Sequence, residues 1–424
     1  MRPDARIPQK KCAETGKKSP MTETDPSLAT PLATLMAQAA TPPELVAYRR
    51  VLTPWKLDAP ERETAALVSA SAVHDLGWLR RVAVRGEDRF RWLSGMVTNT
   101  VNDLGTNAGA WNLVLNAQGR IQGDLYVWRE DDDLSLTIAA DQYDRLLAHL
   151  ERFIIMDDVE LAPLSEESAL GLAGPLAAGV LTRLGLPVLE SMTSALTAWN
   201  GQQMRVVRGY GVLAPHYELW IRAAEIPALW STLVEAGAIP VGAATLEAFR
   251  IAEGIPAYGI DIAERDLPQE VVPQVATFPG TMNSARANSE QLAPPQVAQM
   301  RALSFNKGCY LGQEIVERIR SRGSVHRHLR PLEISGPVPA AGAELRLEGG
   351  AIAGEITSAA ELLLAGVPAD RSSSMGWIAS GSRVFALGMM RGEAELHNQP
   401  FTYTAGTATG TARILAAPPK LEDG

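Results

Sequence analysis

The 424-residue sequence predicts an α+β protein that ends in an antiparallel β-barrel. Three observations carry this expectation. Strand-like runs at 111–115, 121–128, 204–208 and 217–221 pair up around turn residues, and helical patterns lie between the pairs, which is how α+β layers read in sequence. From residue 331 onward the pattern changes to short β segments at 331–334, 343–347, 351–357, 383–389 and 399–403, punctuated by Gly and Pro. A chain of 424 residues also exceeds one ordinary core, so two or three units are expected.

Residues 1–43 are rich in Lys, Pro, Thr and Ser and read as a disordered leader, with Met21 an alternative start to Met1. The first part of the folded unit spans 44–158. It holds an amphipathic segment at 44–51, an alternating strand at 81–86 and a helical pattern at 88–93. The hairpin follows, its strands joined through Asn116-Ala117-Gln118-Gly119, then a third strand at 134–139 and a helix at 141–153. The second part, 159–330, contains the strands around Gly209-Tyr210-Gly211 and helical patterns at 224–236 and 242–253. The polar stretch 279–295 lacks periodicity and reads as a mobile surface loop. The barrel occupies 331–417, with 363–374 as an exposed excursion and a fraying end at 418–424.

Hydrophobic residues make up 46%, charged residues 21%, and the net charge is −9. That balance fits a folded soluble protein and argues against a stable nucleic-acid complex or attraction to an anionic membrane. No apolar run reaches the ~18 residues of a membrane span, and no secretory h-region opens the chain. A cytoplasmic monomer is expected. Two cysteines, one of them Cys12 in the leader, cannot build a disulfide framework.

The chemistry concentrates in Lys307-Gly308-Cys309-Tyr310-Leu311-Gly312-Gln313-Glu314. Lys307 is the only lysine between Lys56 and Lys420, and Cys309 is the only cysteine outside the leader. Gly308 and Gly312 suit a tight loop, and Ile315, Val316 and Ile319 then recur at helical spacing. A thiol ahead of a helix N-terminus and beside a lysine sits in a field that favours thiolate. A buried, inert cysteine is the competing reading.

This run, preceded by Leu303-Ser304-Phe305-Asn306 and followed by Ile315-Val316-Glu317-Arg318, closely resembles the signature of the folate-binding YgfZ family. That family is implicated in assembly or repair of iron–sulfur proteins and in tRNA modification. It is built like the aminomethyltransferase (T protein) of the glycine cleavage system, and the similarity runs from about 71 to 417. The resemblance implies an aminomethyltransferase-like folate-binding fold, tetrahydrofolate or a derivative as cofactor, and iron–sulfur client proteins as partners. It makes Cys309 and Lys307 the catalytic candidates, supported by Gly308, Tyr310, Gly312, Gln313, Glu314 and Arg318. Glu218 becomes the reader of the pterin, Asp124 the second acid and Arg250 the tail-binding arginine. These residue types suit pterin donors and a glutamyl tail. The sequence departs from the transferases at Gly123-Asp124-Leu125, where they have Asp-Asp-Leu, so one carboxylate is missing.

Arg318, Arg320, Arg322, Arg327 and Arg330, with His326 and His328, form a local basic excess that suits an anion or a partner, or a solvated edge. No metal site is expected, because the two histidines lack an acidic third ligand. The chain has no phosphate-binding Gly-x-x-x-x-Gly-Lys loop and no dinucleotide fingerprint. One thiol in the folded part cannot hold a permanent iron–sulfur cluster. Three functions compete: a folate-dependent factor for iron–sulfur proteins, an aminomethyltransferase, and a non-catalytic folate-gated scaffold.

Overall fold

The structure, a computed structural model, describes residues 28–131, 133–271, 302–322, 325–365, 379–397 and 399–421. The expected leader up to residue 27, the stretch 279–295 and most of the barrel excursion lie outside the described residues. Among the described residues no helix is long and apolar enough to cross a membrane.

In chain order the first part comprises α1 (Pro31–Met36), β1 (Leu45–Tyr48), β2 (Val51–Pro54), α2 (Pro60–Ser69), β3 (Ala72–Asp75), β4 (Leu79–Arg85), α3 (Arg89–Met96), β5 (Gly109–Leu115), β6 (Ile121–Glu130), β7 (Asp133–Ala139) and α4 (Ala140–Glu151). The amphipathic segment at 44–51 is thus a β-hairpin whose turn is Arg49-Arg50. Next come β8 (Glu160–Pro163), β9 (Glu167–Ala173), α5 (Ala177–Arg183), β10 (Thr193–Trp199), β11 (Gln202–Arg208), β12 (His216–Arg222), α6 (Ile226–Glu235), β13 (Ile239–Pro240), α7 (Ala243–Glu253) and α8 (Pro268–Val271). The chain closes with α9 (Gln313–Arg322), β14 (Arg327–Ser335), β15 (Glu344–Arg346), β16 (Ile352–Ala365), β17 (Ala379–Arg391), β18 (Phe401–Ala405) and β19 (Ala408–Ile414).

These strands form a five-stranded sheet, β5-β6-β7-β4-β8, a six-stranded sheet, β10-β11-β12-β9-β3-β13, and a closed six-stranded barrel, β14-β17-β16-β15-β18-β19. Closure comes from β14, which pairs antiparallel with both β17 and β19 and leaves no free edge. The sequence reading lacked β19, and residues 363–365, assigned there to an excursion, continue strand β16.

Alternation decides which face of each sheet is core. On β6, Leu125 and Val127 enter the apolar cluster with Val82, Leu134 and Leu146, which directs Asp124, Tyr126 and Trp128 to the other face. On β9, Leu170 and Leu172 pack with Val206, Leu219 and Ile221, so Ala169, Gly171 and Ala173 line the opposite face. Trp128 and Tyr126 of the first sheet meet Ala169, Val207 and Trp220 of the second in a shared apolar cluster. A buried charge network fixes this junction. Arg81 pairs with Glu130 and, at 2.6 Å, with Glu167, and Arg205 reaches Glu130 at 3.1 Å. Removing one partner of such a buried network leaves an uncompensated charge and is strongly destabilising.

Candidate functional site

Two carboxylates face the junction from different sheets. Asp124 on β6 accepts from Trp111 Nε1 at 3.0 Å and from Gln142 Nε2 at 2.7 Å, while its own amide donates to Gln142 Oε1 at 3.0 Å. Gln142 comes from the first turn of α4, so the hairpin and the helix jointly hold the acid. Glu218 on β12 accepts from Trp220 Nε1 at 2.7 Å. Burial raises both carboxyls above their ordinary values, and their hydrogen bonds pull in the opposite direction. Tyr126 feels both: burial, then the Asp124 charge, then the Glu218 charge push its hydroxyl up. The charges of both acids thus reach the Tyr126 hydroxyl.

The registry of the second sheet extends the site. Glu218 pairs with Gly171, and Gly171 with His74, so Glu218 and His74 share one row with a side-chain gap between them. His74 leans into that gap, since a Cβ on Gly171 would lie 1.9 Å from its ring. Burial lowers the His74 imidazole to about 3, and His216 adds to the shift, so the ring is neutral at physiological pH. Two residues along β12 from this row, on the same face, His216 reaches Glu253 at 3.3 Å. Burial opposes the His216 cation, but Glu253 outweighs it and raises the imidazole. Glu253 is itself fixed by the Val212 and Leu213 amides, each at 2.9 Å.

The departure at Gly123 has a steric cause. A Cβ there would lie 2.7 Å from Gln142 Oε1 and about 3 Å from the Leu146 methyls. Gln142 and Leu146 occupy the room that an aspartate would need.

The signature is anchored to the same hairpin. The Lys307 ammonium donates to Ser94 O at 2.8 Å, Val97 O at 2.6 Å and Asn99 O at 2.8 Å, around the C-terminal end of α3. Burial lowers its pKa to about 7. Three carbonyl acceptors match the three N–H donors of the charged form and oppose that shift. Gly312 has φ 82° and approaches the hairpin turn so closely that a Cβ would lie 2.5 Å from Asn116 O. Here glycine is required on both counts. Gly308, expected to serve similarly, meets nothing within 4 Å of its Cβ position. Tyr310 is buried with Trp111, Leu113 and Leu115, its amide faces Gln313 Oε1 at 3.3 Å, and Glu314 pairs with Arg318 on the exposed side of α9. Cys309 is exposed, which removes the reading of a buried, inert thiol. The three carbonyls give Lys307 an anchoring role in addition to the one expected of it beside the thiol.

Two further sets of expected residues are engaged within the protein. Arg250, assigned to a ligand tail, is held by Glu247 through Nε and Nη2 and by Asp261 and the Ile255 carbonyl through Nη1. Four of its five N–H donors are engaged inside the protein. The basic excess at 318–330 is balanced locally: Arg318 pairs with Glu314, Arg320 with Glu317, Arg327 with Asp266 and Glu270, and Arg330 with Glu395. Among the described residues no cluster of three or more His, Cys, Asp or Glu is placed to hold a metal. Sequence reasoning missed Gln142, Tyr126, His74 and Glu253. The alternation Asp124-x-Tyr126-x-Trp128 was a readable signal for the second of these, whereas the others depend on long-range registry.

The family described as the GCVT N-terminal domain matches residues 41–276, more than half of the chain. The chain belongs to the GCVT family. The matched span contains Asp124, Glu218 and Arg250 and stops before the signature. An aminomethyltransferase of Rubrobacter xylanophilus is 30% identical over 216 residues, covering 49% of this chain and 57% of that protein. One from Anoxybacillus flavithermus is 29% identical over 227 residues, covering 51% and 62%. The chain thus spans less than two thirds of the length of these relatives. The solved glycine cleavage system aminomethyltransferase T of Bartonella henselae superimposes with a TM-score of 0.72 at 18% identity, over 93% of this chain and 98% of that one. The protein therefore has the aminomethyltransferase-like fold with a closed antiparallel C-terminal barrel.

Proposed function

We propose that this GCVT-family protein binds a reduced folate between Glu218 and Asp124 and uses the Cys309 segment as a factor for assembly or repair of iron–sulfur proteins, as members of the YgfZ family do. The observation that carries the folate part is the pair of half-buried carboxylates, each held by an indole N–H, on the faces of the two sheets that also carry Tyr126 and Trp220. A pterin presents ring N–H and amino donors to a carboxylate and a flat face to an aromatic ring. Glu218 has Oε1 available for that edge, because Trp220 engages Oε2. When bound, a reduced folate supplies a one-carbon carrier at its N5 ring nitrogen and its N10 bridging nitrogen. Asp124, fixed on both oxygens by Trp111 and Gln142, orients rather than moves and offers a positioned carboxylate near that carrier.

The signature supports the second half of the reading. Its exposed thiol sits on a segment clamped against the turn of the hairpin that carries Trp111 and Asp124, so the two functional parts share one rigid support. Aminomethyl transfer is favoured by the names of the relatives, but Gln142 fills the place of the second carboxylate.

Complementation of a deletion strain separates these functions. Wild-type protein is expected to restore the activity of iron–sulfur enzymes, and Cys309→Ala and Glu218→Gln to fail while accumulating as folded protein. Full restoration by Cys309→Ala would remove the thiol from the mechanism. Tetrahydrofolate-dependent ammonia release from an aminomethyl carrier is expected to be absent, and robust turnover would establish the transferase instead.

A further inference from the structure

The Gly209-Tyr210-Gly211 turn between β11 and β12 runs beside the row that carries Glu218. A Cβ on Gly209 would lie 3.8 Å from Glu218 Oε1, the oxygen that Trp220 leaves open. A Cβ on Gly211 would lie 2.5 Å from Cδ2 of the His216 ring and 2.0 Å from Ala214 O, so the loop backbone rests on the imidazole and admits no side chain there. His216 and Glu218 project from the same face of β12, two residues and about 7 Å apart along the strand. Their neighbours on β9 are Ala173 and Gly171, which place nothing larger than a methyl group beside them.

One buried acid ties these parts together. Glu253 ends α7 with its side chain 2% exposed; its Oε1 accepts from the Val212 and Leu213 amides at 2.9 Å each, and its Oε2 meets His216 Nε2 at 3.3 Å. The His216 ring also lies 6.0 Å from that of Phe249 on the same helix. A carboxylate this deep keeps its charge only when a cation or donors compensate it, and His216 is the cation it touches. The other groups around this face supply little positive charge. His74 on β3 is neutral, with both ring nitrogens buried and unpartnered. Tyr210 packs against the cluster of Trp128 and Val207, and burial followed by the Glu253 charge pushes its hydroxyl up, so it too is neutral. Arg81 reaches Glu218 from the neighbouring sheet but is shared between Glu130 and Glu167.

We propose that His216 is a positioning residue for Glu218: held by Glu253 as a cation, it supplies the compensating charge that lets Glu218 meet the ligand's donors as a carboxylate. This rests on the folate reading, and a pH series separates the two. Tetrahydrofolate is titrated by calorimetry into wild type, His216→Asn and Glu253→Gln from about pH 5 to about pH 8, and the ratio of each variant's Kd to that of wild type is followed, so that titration of the ligand cancels. Near pH 8 Glu218 is ionised in every protein, and the ratio for His216→Asn is expected within about threefold of one. Without the neighbouring cation Glu218 takes up its proton at higher pH, so the ratio is expected to climb about tenfold towards pH 5. Glu253→Gln keeps an acceptor for the two loop amides but withdraws the charge that holds His216 protonated, and is expected to climb in the same direction. A ratio for His216→Asn that stays flat overturns the assignment and leaves the folate reading standing. A ratio raised equally at every pH makes His216 a packing element under the loop and also overturns it. A climb in His216→Asn with none in Glu253→Gln removes Glu253 from the arrangement. If His216→Asn does not fold, Glu253→Gln decides by the same criterion. Absence of binding to wild type removes the folate reading itself, and this inference with it.

Discussion

Replacing Lys307 with methionine removes one charge and three hydrogen bonds while keeping most of the stem volume. The three carbonyls it serves, at Ser94, Val97 and Asn99, lie more than 200 residues away in sequence, so the bonds fasten the signature to the end of α3 rather than stabilise either part locally. At about 1 kcal/mol for each orphaned carbonyl, the segment loses on the order of 3 kcal/mol of attachment. Three further hydrogen bonds fasten the same segment: Leu311 N–H to Gly95 O at 2.9 Å, Ser304 N–H to Thr98 O at 3.0 Å, and the Thr98 hydroxyl to Ala302 O at 2.6 Å. A loss of this size raises the population of the detached segment by roughly two decades at 1.4 kcal/mol per decade. Amide hydrogen exchange reads this directly. Exchange at Leu311 and Ser304 is expected to accelerate about 100-fold in Lys307→Met, with protection in the barrel strands unchanged. Acceleration of less than about threefold at both amides would refute the anchoring role and return Lys307 to the chemistry of the thiol.

Other perturbations separate packing from recognition. Gly123→Asp, which restores the acidic pair of the transferases, is expected to destabilise the protein by about 3 kcal/mol in urea unfolding. It forces Gln142 and Leu146 aside and breaks the Gln142–Asp124 bonds, and the double variant with Gln142→Ala is expected to recover part of the loss. Tetrahydrofolate affinity is expected to fall as pH drops. The ligand's donors select ionised Glu218, whose folded pKa burial raises above 4.5, so the fall begins at higher pH than for an exposed glutamate, and calorimetry on Glu218→Gln should show a flatter profile. The sign for stability is the reverse. A raised carboxyl contributes to folding in its protonated form, and that contribution is lost as pH rises through the folded value.

Much of the architecture was readable because local signals agreed with it. The Asn116–Gly119 turn, the alternation of β6 and the Gly- and Pro-spaced barrel strands all point the same way as the final fold. Strand β19 was not readable, since Ala408–Ile414 is rich in Thr, Gly and Ala and shows little apolar alternation. The β1–β2 hairpin was hidden by Arg49-Arg50, which carries none of the usual turn chemistry. At the site, Asp124 and Glu218 emerged from the resemblance, and the structure adds what holds them. Arg250 illustrates the limit: its i−3 partner Glu247 is visible in sequence, but Asp261 and the Ile255 carbonyl depend on the turn after α7. The Lys307 cage is built from backbone carbonyls, which no side-chain pattern announces.

The most direct test of the account is a crystal structure of the tetrahydrofolate complex. The pterin is expected against Tyr126, with its amino edge within hydrogen-bond distance, about 3 Å, of Glu218 Oε1 and its reactive nitrogens facing Asp124. A ligand bound elsewhere, or a pterin whose donors face no carboxylate while Glu218 stays paired only to Trp220, would contradict it.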